Sequence, residues 1–403
     1  MFTLLTTASA MGQLQCVNAL LEHGASKDIL CRKVMDKSRV LVSSVYLASF
    51  KGHIETVKLL LKHGDALNSP TCSPLCGACR AGDIEMAMFL IDQGADVNLS
   101  SVLTPYSNTN PLAAAARSGN VELVEYLIEK EADIHCNGDN INPLIEACSS
   151  GHIEVMETLL RHGANINVCT ADLFETTCIY TACINDSIEM AKFLLDRGAH
   201  ITTPAFAMAF NRRNKELITI FLMHGADPDC VETFLSPLMS AVTDNDMSLM
   251  ILLLKYGADV DYSVQTQNYN IDVHVKYIRT SSPLIIACEH GHIDAVRLLL
   301  QHGVDVNQQF NHYKQNDTTL ICLFSTPSWA RGQHQQHRNE GDEGEGAIDL
   351  SPGQVACLKL LLEYGADVSI TNTIGNTVFD YVKDRPGVIK LLNDYIAIEP
   401  ILK

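Results

Sequence analysis

Cys76-Gly77-Ala78-Cys79 is a C-x-x-C pair with Cys72 close ahead of it, and His334 and His337 stand three apart before Glu340, Asp342 and Glu343. Thiols at the first spacing can hold zinc or exchange a disulfide, and imidazoles among carboxylates can hold a divalent cation. No second cysteine pair follows at zinc-ribbon spacing, and the histidines sit in a glycine- and charge-rich run that cannot preorganise ligands. Packing is the favoured reading of the cysteines and solvated disorder that of the His334 loop, with metal binding the lesser alternative for each. The imidazoles of His53, His152 and His292 each follow a glycine, and no nucleophile accompanies them. The expectation is a chain that is not an enzyme and has no cofactor.

Those residues belong to a recurring unit, clearest from Asn142 to Asn167. Asn142 and Pro143 supply an N-cap and a first-turn proline, and Leu144, Ala147 and Cys148 share one helical face. A break at Ser149 to His152 leads into a second apolar stripe of Ile153, Met156, Leu159 and Leu160, which stops at Gly163, where a left-handed cap suits glycine. Two helices this short cannot be stable alone and need neighbours of their own kind. Ten copies end at Gly24, Gly64, Gly94, Glu131, Gly163, Gly198, Gly225, Gly257, Gly303 and Gly365, with Glu131 in a glycine's place. In the first nine, alanine stands sixteen residues before that mark, from Ala8 and Ala48 to Ala287. Paired large residues, such as Leu60-Leu61 and Leu159-Leu160, are expected to form the core between repeats. Cys76, Cys79 and the Gly-His histidines all fall on positions that the repeat itself explains.

The pattern resembles the ankyrin repeat, T-P-L-x-x-A-A-x-x-G-H-x-E-x-V-x-x-L-L-x-x-G-A-D-V-N at a period near 33. The resemblance implies an all-α solenoid of stacked helix-turn-helix units with projecting β-turn fingers. Glu146-Ala147-Cys148 is similar, in addition, to the large multiple-ankyrin scaffold proteins. The usual first-helix histidine is replaced by Tyr46, Cys76, Ala113, Ile145, Tyr180 and Met239, which predicts weaker hydrogen bonds between turns. The array is expected over residues 1–395, with repeats ending near 26, 68, 98, 135, 167, 201, 229, 261, 307 and 369 and a cap at 374–395. A disordered insertion at about 327–352 splits the tenth repeat, whose second helix is expected from Gln354 to Tyr364, and 396–403 is a tail. Gly198 to Gly225 is only 27 residues, which predicts a finger cut short. Gly257 to Gly303 is 46 and predicts an enlarged finger at Ser263 to Thr280.

The formal charge of −18 disfavours nucleic acid and anionic membranes, and no apolar run approaches the roughly 20 residues that cross a bilayer. Met1 to Met11 has no basic segment of a secretory signal, so a cytoplasmic address is expected, with a nuclear one open, and the fourteen cysteines are read as reduced. A protein or peptide is the expected partner and a monomer the expected state. In arrays of this kind partners bind the concave surface, where the register places Phe50, Lys51, Arg80, Arg117, Asn211, Arg212, Asp244 and Glu289. Its first half is basic and its second acidic. An acidic segment held by Lys51, Arg80 and Arg117 with Phe50 as apolar contact is the sharper reading, and a solvated face the plainer one. The resemblance also implies Asn98, Asn167 and Asn307 as candidates for asparagine hydroxylation, beside the preferred reading of a side chain that holds the turn. The expected function is a non-enzymatic interaction scaffold. The alternative is the substrate-recruiting arm of a larger protein, a ubiquitin-ligase adaptor or signalling enzyme.

Overall fold

Ser73, Asn110 and Ser236, each followed by proline, open their helices by accepting the amide N–H of the third helical residue, at 3.4 Å from Cys76, 2.7 Å from Ala113 and 3.3 Å from Met239. Those bonds use the backbone of the slot that usually carries histidine, so Cys, Ala or Met there leaves them intact. The computed structural model describes residues 3–26, 31–35, 38–104, 107–135, 142–170, 176–230, 235–263, 282–310, 316–325 and 350–402. The helices, in chain order, are α1 Leu4–Ala10, α2 Leu14–Glu22, α3 Ser44–Phe50, α4 Ile54–Lys62, α5 Pro74–Ala81, α6 Ile84–Asp92, α7 Pro111–Ser118, α8 Val121–Glu129, α9 Pro143–Ser150 and α10 Ile153–Arg161. They continue as α11 Cys178–Ile184, α12 Ile188–Asp196, α13 Thr203–Asn211, α14 Lys215–Met223, α15 Pro237–Thr243, α16 Met247–Lys255, α17 Pro283–His290, α18 Ile293–Gln301 and α19 Thr319–Ser325. The last are α20 Pro352–Glu363, α21 Val378–Tyr381 and α22 Pro386–Leu402.

The chain forms two compact units, Met1–Leu217 and Ile218–Lys403, divided within α14. In the first unit α1, α3, α5, α7, α9, α11 and α13 pack each on the next, and α2 meets α4 while α8 lies against α6 and α10. The second unit repeats the scheme: α15, α17 and α19 form its row, and α16 meets α18, which meets α20. Helices can approach this closely only over small side chains. Ala48, Ala78, Ala115, Ala147 and Ala182 are buried at that contact, and a Cβ on Gly77 would lie 2.9 Å from the Tyr46 carbonyl oxygen.

The large pairs divide their roles. Leu60, Leu90, Leu127 and Leu159 are fully buried, whereas Leu61, Ile91, Ile128 and Leu160 are half-buried. Consecutive helical side chains point about 100° apart, so only one of two can face the middle of the layer. In other copies both members are buried, as at Leu194-Leu195, Leu253-Leu254 and Leu299-Leu300.

Gly163 ends α10 at φ 94, and Glu131 ends α8 at φ 64. A side chain in that left-handed region costs about 1 kcal/mol that glycine avoids. Glu131→Gly should raise stability by up to about 1 kcal/mol, read as a higher denaturant midpoint at unchanged slope. An unchanged midpoint would mean that the turn relaxes around glutamate without cost.

Fingers appear as antiparallel ribbons: β1 Cys31–Met35 with β2 Ser38–Val42, β3 Ser101–Thr104 with β4 Ser107–Thr109, and β5 Gln309–Phe310 with β6 Asp317–Thr318. Cys169 and Thr177 form a single bridge in the finger ahead of α11. After Gly198, by contrast, the chain reaches the N-cap Thr202 almost at once and enters α13. Two ends differ from expectation. α20 begins at Pro352, inside the expected insertion, because Ser351 and Gln354 close a capping box with bonds of 3.0 and 3.2 Å. α22 runs to Leu402, through most of the expected tail. The residues between Ser325 and Leu350, with the His334 loop, and nearly all of the enlarged finger lie outside the described residues.

Candidate interaction surface

The predicted stripe lies at the C-terminal ends of successive packed helices. Lys51 is exposed and caps α3, its Nζ 5.5 Å from the centre of the Phe50 ring. Phe50 is half-buried, its ring parallel to that of Tyr46 with the centres 6.4 Å apart. Arg80 and Arg117 sit in the last turns of α5 and α7. Arg117 is already engaged, its Nη1 3.0 Å from a carboxylate oxygen of Glu146 in the first turn of α9. The sequence places Arg117 on the stripe without this bond, because the partner lies one repeat on. Register offers the signal that could have found it. Further along, Asn211 ends α13 and Arg212 caps it, both exposed. The acidic residues belong to the second unit, where Asp244 caps α15 and Glu289 lies in the last turn of α17.

Behind the stripe the repeats are tied by side chains that reach back one repeat. His53 meets the Ala10 carbonyl at 3.2 Å, His152 that of Arg117 at 3.2 Å and His292 that of Val242 at 3.0 Å. Asn120 donates to the Gly82 carbonyl and Asn185 to that of Ser149. These histidines tie neighbouring repeats together.

A second ladder runs along the bases of the fingers. Asn98 accepts from the Asp133 amide at 2.8 Å and donates to the Glu131 carbonyl at 3.1 Å. Asn167 does the same with His200 and Gly198, and Asn307 with Asp367 and Gly365, so both ends of each candidate hydroxylation residue are engaged. Asn68 is a further rung, to Asp96 and Gly94. At two rungs of the second unit aspartate takes the place: Asp229 accepts from Asp259 and Asp261 from Asp305, and neither carboxylate can donate. Burial, together with the carboxylates of Asp227, Asp259 and Asp305, raises both carboxyls above the ordinary range. The sequence reading picked out Asn98, Asn167 and Asn307 but missed the two aspartate rungs, which the same spacing of four residues past the glycine mark identifies.

Cys72, Cys76 and Cys79 are buried. Burial pushes the Cys72 thiol up to about 11 and the Cys76 thiol to about 12, which makes both poor nucleophiles at neutral pH. Among the described residues no group of three or more His, Cys, Asp or Glu side chains is placed to hold a metal ion, and no helix is long and apolar enough to cross a membrane.

A sequence model of ankyrin repeats matches the chain in three copies, over residues 45–137, 112–205 and 206–321. The SH3 and multiple ankyrin repeat domains protein 2 of Homo sapiens is 29% identical over 166 residues, 39% of this chain and 8% of that protein. The ankyrin repeat and SOCS box protein 6 of Homo sapiens is 29% identical over 163 residues, 40% of this chain and 30% of that protein. The chain thus matches less than a third of the length of either relative. Among solved structures, the human ASB11 ankyrin repeat domain aligns with 56% of this chain and 100% of its own at 22% identity and a TM-score of 0.42.

Proposed function

The chain belongs to the ankyrin repeat family, whose repeats are protein–protein interaction modules, and from that premise we propose a non-enzymatic scaffold whose concave face holds an acidic segment of a partner protein. The observation that carries the reading is the alignment of Lys51, Arg80 and Arg117 on the ends of α3, α5 and α7, which pack in sequence. Cations on neighbouring elements can each meet a carboxylate of one extended segment. Lys51 and Arg80 each meet a carboxylate of that segment, with the Phe50 ring beneath Lys51. Arg117 contributes by sharing its guanidinium between Glu146 and the partner, which also fixes its orientation.

Arg80→Glu with Arg117→Glu should weaken capture of the natural partner by about tenfold or more, since close charge pairs across an interface are worth about 1.5 kcal/mol upward. The loss should shrink in high salt. Binding by the double variant at wild-type strength, with its melting transition intact, would rule the acidic segment out. A second reading, the recruiting arm of a larger protein, has support in the name of the matched relative that joins ankyrin repeats to a SOCS box. A full-length transcript that encodes no residues before or after this chain would remove it.

A further inference from the structure

Residues 27–51 hold six of the 29 lysines and arginines of the chain but only two of its 47 aspartates and glutamates, in a protein of formal charge −18. Three of those cations, Arg32, Lys33 and Arg39, stand in the strands of the first finger, β1 and β2. The register of that ribbon sets Arg32 opposite Leu41, Lys33 opposite Val40 and Arg39 opposite Val34. Its other two pairs, Cys31 with Val42 and Met35 with Ser38, bring no carboxylate either. No cation of the ribbon therefore has a counter-charge at the directly opposed position, where a cross-strand ion pair forms. The neighbouring finger supplies none: β2 lies beside β3, and β3 and β4 contain no charged residue. Charge on a two-stranded ribbon can serve to keep its edges from pairing with other chains. The other ribbons do without it, since β3 with β4 is uncharged and β5 with β6 carries a single aspartate.

One helix joins this finger to the stripe. β2 ends at Val42, which is buried with Tyr46, Leu47 and Cys72, and Phe50 packs against that cluster. Ser43 then caps α3, whose seven residues rise about 10 Å to Lys51. Finger and stripe thus stand at the two ends of α3. An extended segment advances about 3.3 Å per residue, so a few residues carry it from one to the other.

We propose that the first finger is the second anchor of the acidic partner segment, which leaves the stripe at Lys51, crosses α3 and sets further carboxylates on Arg32, Lys33 and Arg39. The proposal rests on the acidic-segment reading above. It commits to a protein segment, because a nucleic-acid strand would bring a phosphate at every residue up to a chain of net charge −18, whereas a peptide brings only the carboxylates that the cations meet.

The test uses the full chain and fluorescein-labelled decaglutamate, with binding read by anisotropy. Arg32→Glu with Arg39→Glu should weaken binding by at least about tenfold, and Arg32→Lys with Arg39→Lys, which keeps both charges, by no more than about threefold. On the wild-type chain, saturating decaglutamate should slow acetylation of both Lys33 and Lys51, read by mass spectrometry, and leave the exposed Lys255 of the second unit unchanged. Protection of Lys51 without Lys33 would overturn the finger's part and keep the acidic-segment reading. Protection of Lys33 without Lys51 would overturn the stripe and with it the crossing of α3, and protection of neither would overturn both. Wild-type binding by the glutamate pair, an equal loss from the lysine pair, or tighter binding of a ten-residue thymidylate strand than of decaglutamate would each overturn the proposal. The acetylation arm needs no variant, so misfolding of the glutamate pair leaves the test decisive.

Discussion

Leu159→Ala lowers the stability of the first unit by about 2 to 5 kcal/mol, a loss set by the transfer of the side chain and the cavity it leaves. Leu159 is 0% exposed in α10, and Val155, Met156 and Thr158 beside it are buried as well, so little can move in to fill the gap. α10 touches α9 in its own repeat and α8 in the one before. In a stack held by nearest-neighbour contacts the damage spreads outward from that point. Amide exchange should therefore accelerate first in α8, α9 and α10, with α1 and α2 least affected. Leu160→Ala, one residue on and half-buried, should cost no more than about half as much, because less area leaves water there on folding. A denaturant midpoint unchanged by Leu159→Ala would take α10 out of the core. Equal losses from both substitutions would contradict the division of roles within the pair.

That division marks where the sequence stopped being sufficient. Period and residue type place both leucines on the apolar side of α10, but the direction that faces the neighbouring helix depends on how the helices lean. The same limit hid the Arg117 to Glu146 bond, whose partners are 29 residues apart and meet only once α7 and α9 are stacked. Features set by position within the repeat were legible. Glu131 was placed at a glycine mark by register against its residue type, and it has the positive φ that the mark requires. The shortened connection after Gly198 was likewise readable from spacing alone. Substitution of the first-helix histidine was expected to weaken the ties between turns. At the Cys76 slot one such tie is made by other atoms, the Ser73 amide donating to the Ser101 hydroxyl at 2.9 Å.

Asp229→Asn together with Asp261→Asn raises the stability of the second unit at neutral pH by about 1 to 2 kcal/mol, the net worth of about two hydrogen bonds. Each asparagine keeps the accepted amide of Asp259 or Asp305 and adds a donor, as Asn98 does toward the Glu131 carbonyl. It also removes a charge from a row in which Asp229 faces Asp227 and Asp259, and Asp261 faces Asp259 and Asp305; the phenol of Tyr262 lies near the first group and is itself held up by burial and those carboxylates. The dependence on pH has a definite sign. Both carboxyls are raised in the folded chain, so folding binds protons there, and the stability they contribute is fully present below the ordinary carboxylate pKa and lost as pH rises through the folded value. The advantage of the double variant is therefore largest at neutral pH and shrinks toward roughly pH 4, where a protonated Asp229 or Asp261 can donate as asparagine does. Asp380, whose carboxyl is lowered chiefly by the Thr377 amide, is present in both proteins and cancels in the difference. Paired denaturation curves across that range would decide: a gain that is constant with pH would assign it to something other than the aspartate charges, and no gain at neutral pH would mean that the two rungs lose nothing by lacking a donor.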